Sequence, residues 1–247
     1  MKIALLGYGK MGKMIEKCAT GNREYSISLK INTANRHSIS KEQLQQADVV
    51  IEFSSPDAVI ENINWCLEAG MPMVIGTTGW YDDLENVKRW CREKKGAIVY
   101  ASNFSIGVNI MFELNRKLAQ LMRSKQEYDV SLEEVHHVHK KDAPSGTAIT
   151  LANDLLKEST VKKSWLSIRD NDSAAKNHNP SELIILSRRE DAVVGTHTVE
   201  YGSSADRISI RHEAFSREGF AKGALAAANW IRDKKGIFEF SEILKEI

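Results

Sequence analysis

The densest chemistry in this 247-residue sequence lies between Glu134 and Thr147, which reads E-V-H-H-V-H-K-K-D-A-P-S-G-T. His136, His137 and His139 are three of the chain's seven histidines, and Lys140 follows directly. Imidazole changes protonation near neutral pH, and a lysine ammonium can bind an anion or deliver a proton. If the segment is extended, alternation puts His137 and His139 on one face and His136 and Val138 on the other. Pro144 favours an extended approach, and Ser145 suits the N-cap of a helix starting near Thr147. Gly146 and Thr147 then present N–H groups and a hydroxyl at a helix N-terminus, which suits a carboxylate or phosphate. Together these residues predict acid/base work on an anionic substrate. Two plainer readings compete. One is a metal site, with only H-x-H spacing and no nearby cysteine to support it. The other is a solvated strand end. Neither displaces the acid/base reading, and no metal is expected.

A second constellation opens the chain. Gly7-Tyr8-Gly9-Lys10-Met11-Gly12 spells G-x-G-x-x-G between an apolar strand-like run and a helical segment. That context suits dinucleotide binding: a tight turn, close approach of a pyrophosphate, then close helix–strand packing. An acidic residue about 20 positions on would hold the ribose hydroxyls of NAD, but Asn32 stands there. Loss of that carboxylate removes repulsion toward a 2′-phosphate, and Lys30, Arg36 and His37 could supply positive charge. This favours NADPH or use of both cofactors, unless Arg36 and His37 are solvated loop residues. Gly76-Thr77-Thr78-Gly79 and Ala101-Ser102-Asn103-Phe104-Ser105 each follow a strand-like run. They would line the same sheet edge, toward the nicotinamide end of a cofactor.

The elements that must position these groups change character along the chain. Ile3–Leu6, Ser26–Ile31, Asp48–Phe53, Met73–Ile75 and Ala97–Tyr100 read as strands. Between them, Met11–Thr20, a segment from Pro56 to about Ala69, and Tyr81–Lys95 read as helices. Ser55 can cap the second of these, and Gly70 can end it. Such alternation predicts a parallel sheet with helical crossovers. After about Phe104 the pattern becomes a helix at Val108–Met122, a strand at Tyr128–Val138 and a helix at Thr147–Lys157. A polar loop is expected over 164–181. Strands follow at Leu183–Ser187, His197–Gly202 and Arg207–His212, the last two joined by a hairpin turn at Ser203–Asp206. An alanine-rich helix, Arg217–Lys234, closes the pattern. The fold class is therefore α/β, with an α+β domain added to a dinucleotide-binding one.

Composition excludes several functions. The net charge is +1, with 34 basic and 33 acidic residues, which argues against nucleic acid as partner. No apolar run reaches the roughly 20 residues of a membrane helix, and the N-terminus reads as a strand and turn rather than a signal peptide. Three scattered cysteines, Cys18, Cys66 and Cys91, fit a reducing, cytoplasmic setting and small buried side chains.

At these motifs the sequence resembles the 4-hydroxy-tetrahydrodipicolinate reductases, also called dihydrodipicolinate reductases, along essentially its whole length. The segment from Glu134 to Thr147 carries most of the likeness. The resemblance implies a Rossmann-like dinucleotide-binding domain over 1–105 plus 215–247, and a substrate-binding and tetramerisation domain over 106–214. It implies hydride transfer from NADPH or NADH to the cyclic imine formed when 4-hydroxy-tetrahydrodipicolinate loses water, on the diaminopimelate route to lysine. It implies a small dicarboxylate substrate, a homotetramer and no metal. His136 would be the general acid/base and Lys140 the proton donor; His137 would touch substrate, and Gly146 with Thr147 would bind a carboxylate. Gly7, Tyr8, Gly9, Lys10, Met11, Gly12, Asn32, Gly76, Thr77, Thr78, Ser102, Asn103 and Phe104 would contact the cofactor. Three positions depart from the family pattern: Asn32, Ser102 in place of a usual proline, and Val138 in place of a common basic residue. The competing readings are another small dehydrogenase of the same architecture and a dinucleotide-binding redox sensor without turnover.

Overall fold

The computed structural model describes residues 1–169 and 179–247. Contacts divide them into two units, Met1–Ile106 with Arg217–Ile247, and Gly107–Ser216. In chain order the first unit holds β1 (Lys2–Leu6), α1 (Lys10–Thr20), β2 (Ser26–Ile31), α2 (Lys41–Leu44), β3 (Val49–Glu52), α3 (Pro56–Glu68), β4 (Met73–Ile75), α4 (Leu84–Glu93) and β5 (Ala97–Tyr100). The chain continues through α5 (Ile106–Met122), β6 (Asp129–His136), α6 (Gly146–Glu158), β7 (Ser164–Arg169), β8 (Glu182–Arg189), β9 (Gly195–Gly202) and β10 (Arg207–Ala214). It ends with α7 (Glu218–Ile231), β11 (Gly236–Glu239) and α8 (Phe240–Ile243), which belong to the first unit.

The first unit is a six-stranded sheet in the order β11-β5-β4-β3-β1-β2, and every pairing in it is parallel. Strands β3 and β4 are buried at every position, as a parallel sheet covered on both faces requires. One apolar cluster gathers Ile3, Leu5, Ile51 and Val99 with the alanines of α7. The other gathers Leu6, Val50, Met73 and Ile98 with α3 and α4. Between β1 and β3 the strand order reverses, and open α/β sheets bind ligands outside the strand ends at such a point. Gly223 lets α7 close on the chain after β5: a Cβ there would lie 1.8 Å from the Phe104 carbonyl oxygen.

The second unit is a five-stranded sheet in the order β10-β9-β6-β8-β7. It is antiparallel from β10 to β6 and parallel from β6 to β7. Its core joins Leu132, Ile185 and Val199 from the sheet to Phe112, Leu151 and Leu155 from α5 and α6. A turn bond from Ser203 N to the Asp206 carbonyl, 2.9 Å, joins β9 to β10 at the expected hairpin.

Three expectations need correction. Of the loop expected over 164–181, Ser164–Arg169 is strand β7; residues 170–178 lie outside the described residues. As an edge strand, β7 pairs on one side only, so its serines need not be apolar. The strand carrying the histidines stops at His136, because the chain turns there: Lys140 N donates to the His137 carbonyl, 3.0 Å. The face alternation expected through His139 therefore does not extend past His136. Finally, Ser55 stands at the N-cap of α3 without a side-chain capping bond. Among the described residues, no helix is long and apolar enough to cross a membrane.

Candidate active site

In the second unit, alternation along β6 turns Val130, Leu132, Glu134 and His136 toward the buried face. Glu134 is a fully buried carboxylate, and its Oε2 lies 3.0 Å from His136 Nδ1. Arg189, from the end of β8, sets Nη2 3.1 Å from Glu134 Oε1 and donates 2.7 Å to the Asp142 carbonyl. One guanidinium thus ties the histidine-bearing loop to the buried carboxylate. Burial pushes the Glu134 pKa up, but hydrogen bonding from His136 and Ser145 outweighs it and holds the carboxyl well below its usual range. An ionised Glu134 facing Nδ1 favours the His136 tautomer with a proton on Nδ1, leaving Nε2 for chemistry. Gly195 makes room for that edge of the ring, since a Cβ there would stand 3.0 Å from Nε2.

Ser145 is the N-cap of α6, accepting from Ala148 N at 3.2 Å. The first turn of α6 carries no acidic residue, and Gly146 borders open space. The helix's own first turn thus brings no carboxylate to compete at its positive end. Lys140 Nζ lies 2.9 and 2.8 Å from the two oxygens of Asp142. Its close partner is thus a carboxylate. Burial raises the Asp142 pKa, but the bond and charge of Lys140 prevail and lower it. The rings of His137 and His139 stand 6.3 Å apart. His197, on β9, puts Nε2 3.0 Å from Ser145 Oγ, and its ring meets that of His136 at 5.1 Å. Glu134, His136 and His197 form the one three-residue group among the described residues that could ligate a metal. In this group Glu134 Oε1 faces Arg189, Glu134 Oε2 faces His136 Nδ1, and His197 Nε2 faces Ser145.

In the first unit the glycines of the N-terminal motif differ in what surrounds them. Gly7 has φ +95°, and a Cβ there would lie 2.0 Å from the Phe53 carbonyl oxygen. A Cβ on Gly12 would lie 2.4 Å from the Gly7 carbonyl oxygen, so this glycine serves helix–strand packing. Around Gly9, the N-cap of α1, nothing stands within 4 Å of such an atom. An open cradle at a helix N-terminus fits a pyrophosphate. A crevice of about 640 Å³ runs past Gly7, Tyr8 and Gly9 to Asn32, Arg36 and Ser54. The Asn32 carboxamide oxygen accepts from Ala34 N, which fixes the turn after β2. Lys30 is paired with Glu16 at 2.5 Å. Arg36 lies over the Trp65 ring at 3.6 Å and donates from Nε to Asn62 Oδ1 at 3.0 Å, so it is anchored in the crevice and not a free loop residue.

The remaining cofactor candidates follow β4 and β5 on the same sheet edge. Gly76 leaves room for the Phe53 ring, which would lie 2.1 Å from a Cβ. Thr77 is buried, its hydroxyl accepting from Ser54 N, while Thr78 is exposed. Asn103 Oδ1 accepts from Ser105 N, Phe104 is buried, and Ser102 is exposed. Lys10 is exposed, and Met11 packs on the core.

Comparison with known proteins bears on both units. The family profile described as dihydrodipicolinate reductase, N-terminus, matches residues 1–104, and the one described as dihydrodipicolinate reductase, C-terminus, matches 107–244. The chain belongs to the dihydrodipicolinate reductase family. It is 45% identical to the 4-hydroxy-tetrahydrodipicolinate reductase of Christiangramia forsetii, over all of this chain and 99% of that one. It is 34% identical to the enzyme of the same name from Campylobacter jejuni subsp. doylei, over 94% and 91%. A dipicolinate-bound dihydrodipicolinate reductase from Paenisporosarcina sp. TG-14 shares the fold, with a TM-score of 0.76 at 23% identity over 98% and 99% of the chains.

Within the reductase family architecture, sequence reasoning missed several groups. The Glu134–His136 pairing was readable as an i, i+2 relation on one strand. Arg189, Gly195 and His197 come from other strands, and no local signal announces a cross-strand partner. Glu52, fully buried at the end of β3, was also missed; it accepts from Ser54 N and faces Asn62 Nδ2 at 3.5 Å. Burial raises its pKa against these bonds.

Proposed function

We propose that the chain reduces 4-hydroxy-tetrahydrodipicolinate, through the cyclic imine formed by loss of water, to tetrahydrodipicolinate. This is the reductive step of its family in diaminopimelate and lysine synthesis. The observation that carries the reading is the 45% identity, along the whole chain, to a protein named for that substrate. The bound nicotinamide of NADPH or NADH supplies the hydride. The protein supplies orientation and the proton.

His136, backed by Glu134, exchanges protons at Nε2 and acts as general acid/base. Lys140 is the proton donor; its ammonium is held by Asp142, so a substrate carboxylate must compete with Asp142 for Nζ. Gly146 and Thr147 bind a substrate carboxylate at the α6 N-terminus, and His137 touches substrate. Residues 1–105 with 215–247 bind the cofactor. There the motif from Gly7 to Gly12 takes the pyrophosphate and Asn32 lies toward the ribose. Gly76, Thr77, Thr78, Ser102, Asn103 and Phe104 lie toward the nicotinamide. Residues 106–214 bind substrate and join the subunits of a cytoplasmic homotetramer. Lys30 is tied to Glu16, and Arg36, which lines the crevice, would have to exchange its 3.7 Å pairing with Glu61 for a 2′-phosphate; with Asn32 in place of an acidic residue, this favours NADPH or use of both cofactors.

The test follows NADPH and NADH absorbance with substrate made in place from pyruvate and aspartate semialdehyde by the preceding synthase. Synthase-dependent oxidation is expected. Its absence in folded protein that binds dinucleotide would overturn the reading. In the same assay Arg36→Ala should lower the NADPH-to-NADH ratio of kcat/KM by about tenfold, the worth of one charge-assisted contact.

A further inference from the structure

The proposed acid/base and carboxylate-binding residues share a neighbour that the reaction does not require. His197 is buried on β9, directly across the ladder from Glu134, and faces His212 on β10. Its Nε2 is 3.0 Å from Ser145 Oγ, and its ring stands edge-on to His136, 5.1 Å between centroids at 73°.

We propose that His197 is a positioning residue: as the Nε2–H tautomer it donates to Ser145 Oγ and sets the first turn of α6 relative to His136. The assignment rests on the functional reading above and on donor–acceptor balance. A serine hydroxyl has one proton and two lone pairs. Ser145 Oγ accepts from Ala148 N at 3.2 Å, which leaves it one lone pair able to accept from His197. The direction of the Ser145–His197 bond is then decided by which ring nitrogen of His197 carries the proton. His197 Nδ1 is buried without a hydrogen-bond partner. A proton there would be an orphaned buried donor, a costlier fault than a bare acceptor. The ring is also neutral: burial first, then the charges of His136, His212 and Lys140, bring its pKa down to about 3 against the opposing pull of Glu134.

Two ladders therefore hold one neutral ring between His136 and the α6 cap. Without the donor, Ser145 keeps Ala148 but loses its restraint from β9. The helix end that would take the substrate carboxylate then loosens, while the Glu134–His136 pair persists. The effect falls on substrate binding more than on turnover.

The test compares His197→Leu with His197→Gln in the full chain; the glutamine amide can restore an N–H near Nε2. His197→Leu should raise the substrate KM at least tenfold, leave kcat within about threefold, and leave NADPH affinity unchanged. His197→Gln should recover most of the KM. Equal losses in kcat and KM, no loss at all, or a glutamine variant no better than leucine would overturn the proposal. The wild-type ring is read independently by ¹⁵N NMR: Nε2 protonated and Nδ1 bare at pH 5 is expected, and the opposite tautomer or a charged ring would overturn it whether or not the variants fold. If wild-type protein fails to turn over the substrate, the functional reading fails, and with it the proposed positioning role, while the ring's tautomer still stands on the NMR.

Discussion

His136 is defined by what surrounds its two nitrogens. One faces a buried, ionised Glu134, and the other faces the bare backbone of Gly195. An added methyl at Gly195 stands 3.0 Å from Nε2, too close unless the ring yields by a few tenths of an ångström. Small misplacements of a catalytic group are costly because reaction needs near-contact geometry. Gly195→Ala should therefore lower kcat by about tenfold or more, with the α6 N-terminus and its substrate affinity preserved. A kcat matching wild type in steady-state assays would show that the ring tolerates the intrusion. The acid/base role proposed for the histidine segment was suggested by the sequence because three imidazoles in four residues have few structural uses. The partners were not, because Arg189, Gly195 and His197 are brought to His136 by strand pairing. Lys140, by contrast, takes a local partner, Asp142, two residues on.

The elements that carry these groups follow familiar local rules, and the departures from sequence expectation have identifiable causes. α6 starts where Ser145 can cap it, and α3 begins at Pro56 and ends before Gly70, whose φ is +70°. The parallel strands of the first unit were readable from their apolar runs, with boundaries shifted by a residue or two. β7 and β11 were missed because each is an edge strand, short or polar, whose stability comes from its single neighbour. The alanine-rich face of α7 has a purpose that composition alone does not reveal: it lies against the sheet and the Phe104 backbone. At Gly223 a methyl would meet the Phe104 carbonyl oxygen at 1.8 Å. Gly223→Ala must displace the helix or the chain after β5, at a cost of about 3 kcal/mol or more. Urea unfolding should show this loss together with weaker dinucleotide binding. A midpoint equal to wild type would mean that α7 packs less closely than described.

The whole molecule should register its buried histidine as a pH dependence of stability. His197 moves from 6.5 in the unfolded chain to about 3 in the fold, because burial and the neighbouring His136 disfavour its charge. As pH falls below about 6.5 the unfolded chain takes up a proton that the fold refuses. Stability from this group is complete above 6.5 and declines until the pH reaches about 3. The slope is about 1.4 kcal/mol per pH unit, so the second unit should lose about 2 kcal/mol between pH 7.5 and 5. His197→Gln does not titrate and should lose correspondingly less over that range in urea unfolding at the two pH values. Equal losses would place the pH sensitivity elsewhere. The most direct test of the proposed site is turnover and cofactor affinity measured on one preparation of His136→Gln. Removal of the general acid/base should lower kcat with synthase-made substrate by about 100-fold or more, with the NADPH dissociation constant within about twofold of wild type. A kcat within about threefold of wild type would contradict the assignment of the proton-handling role to His136.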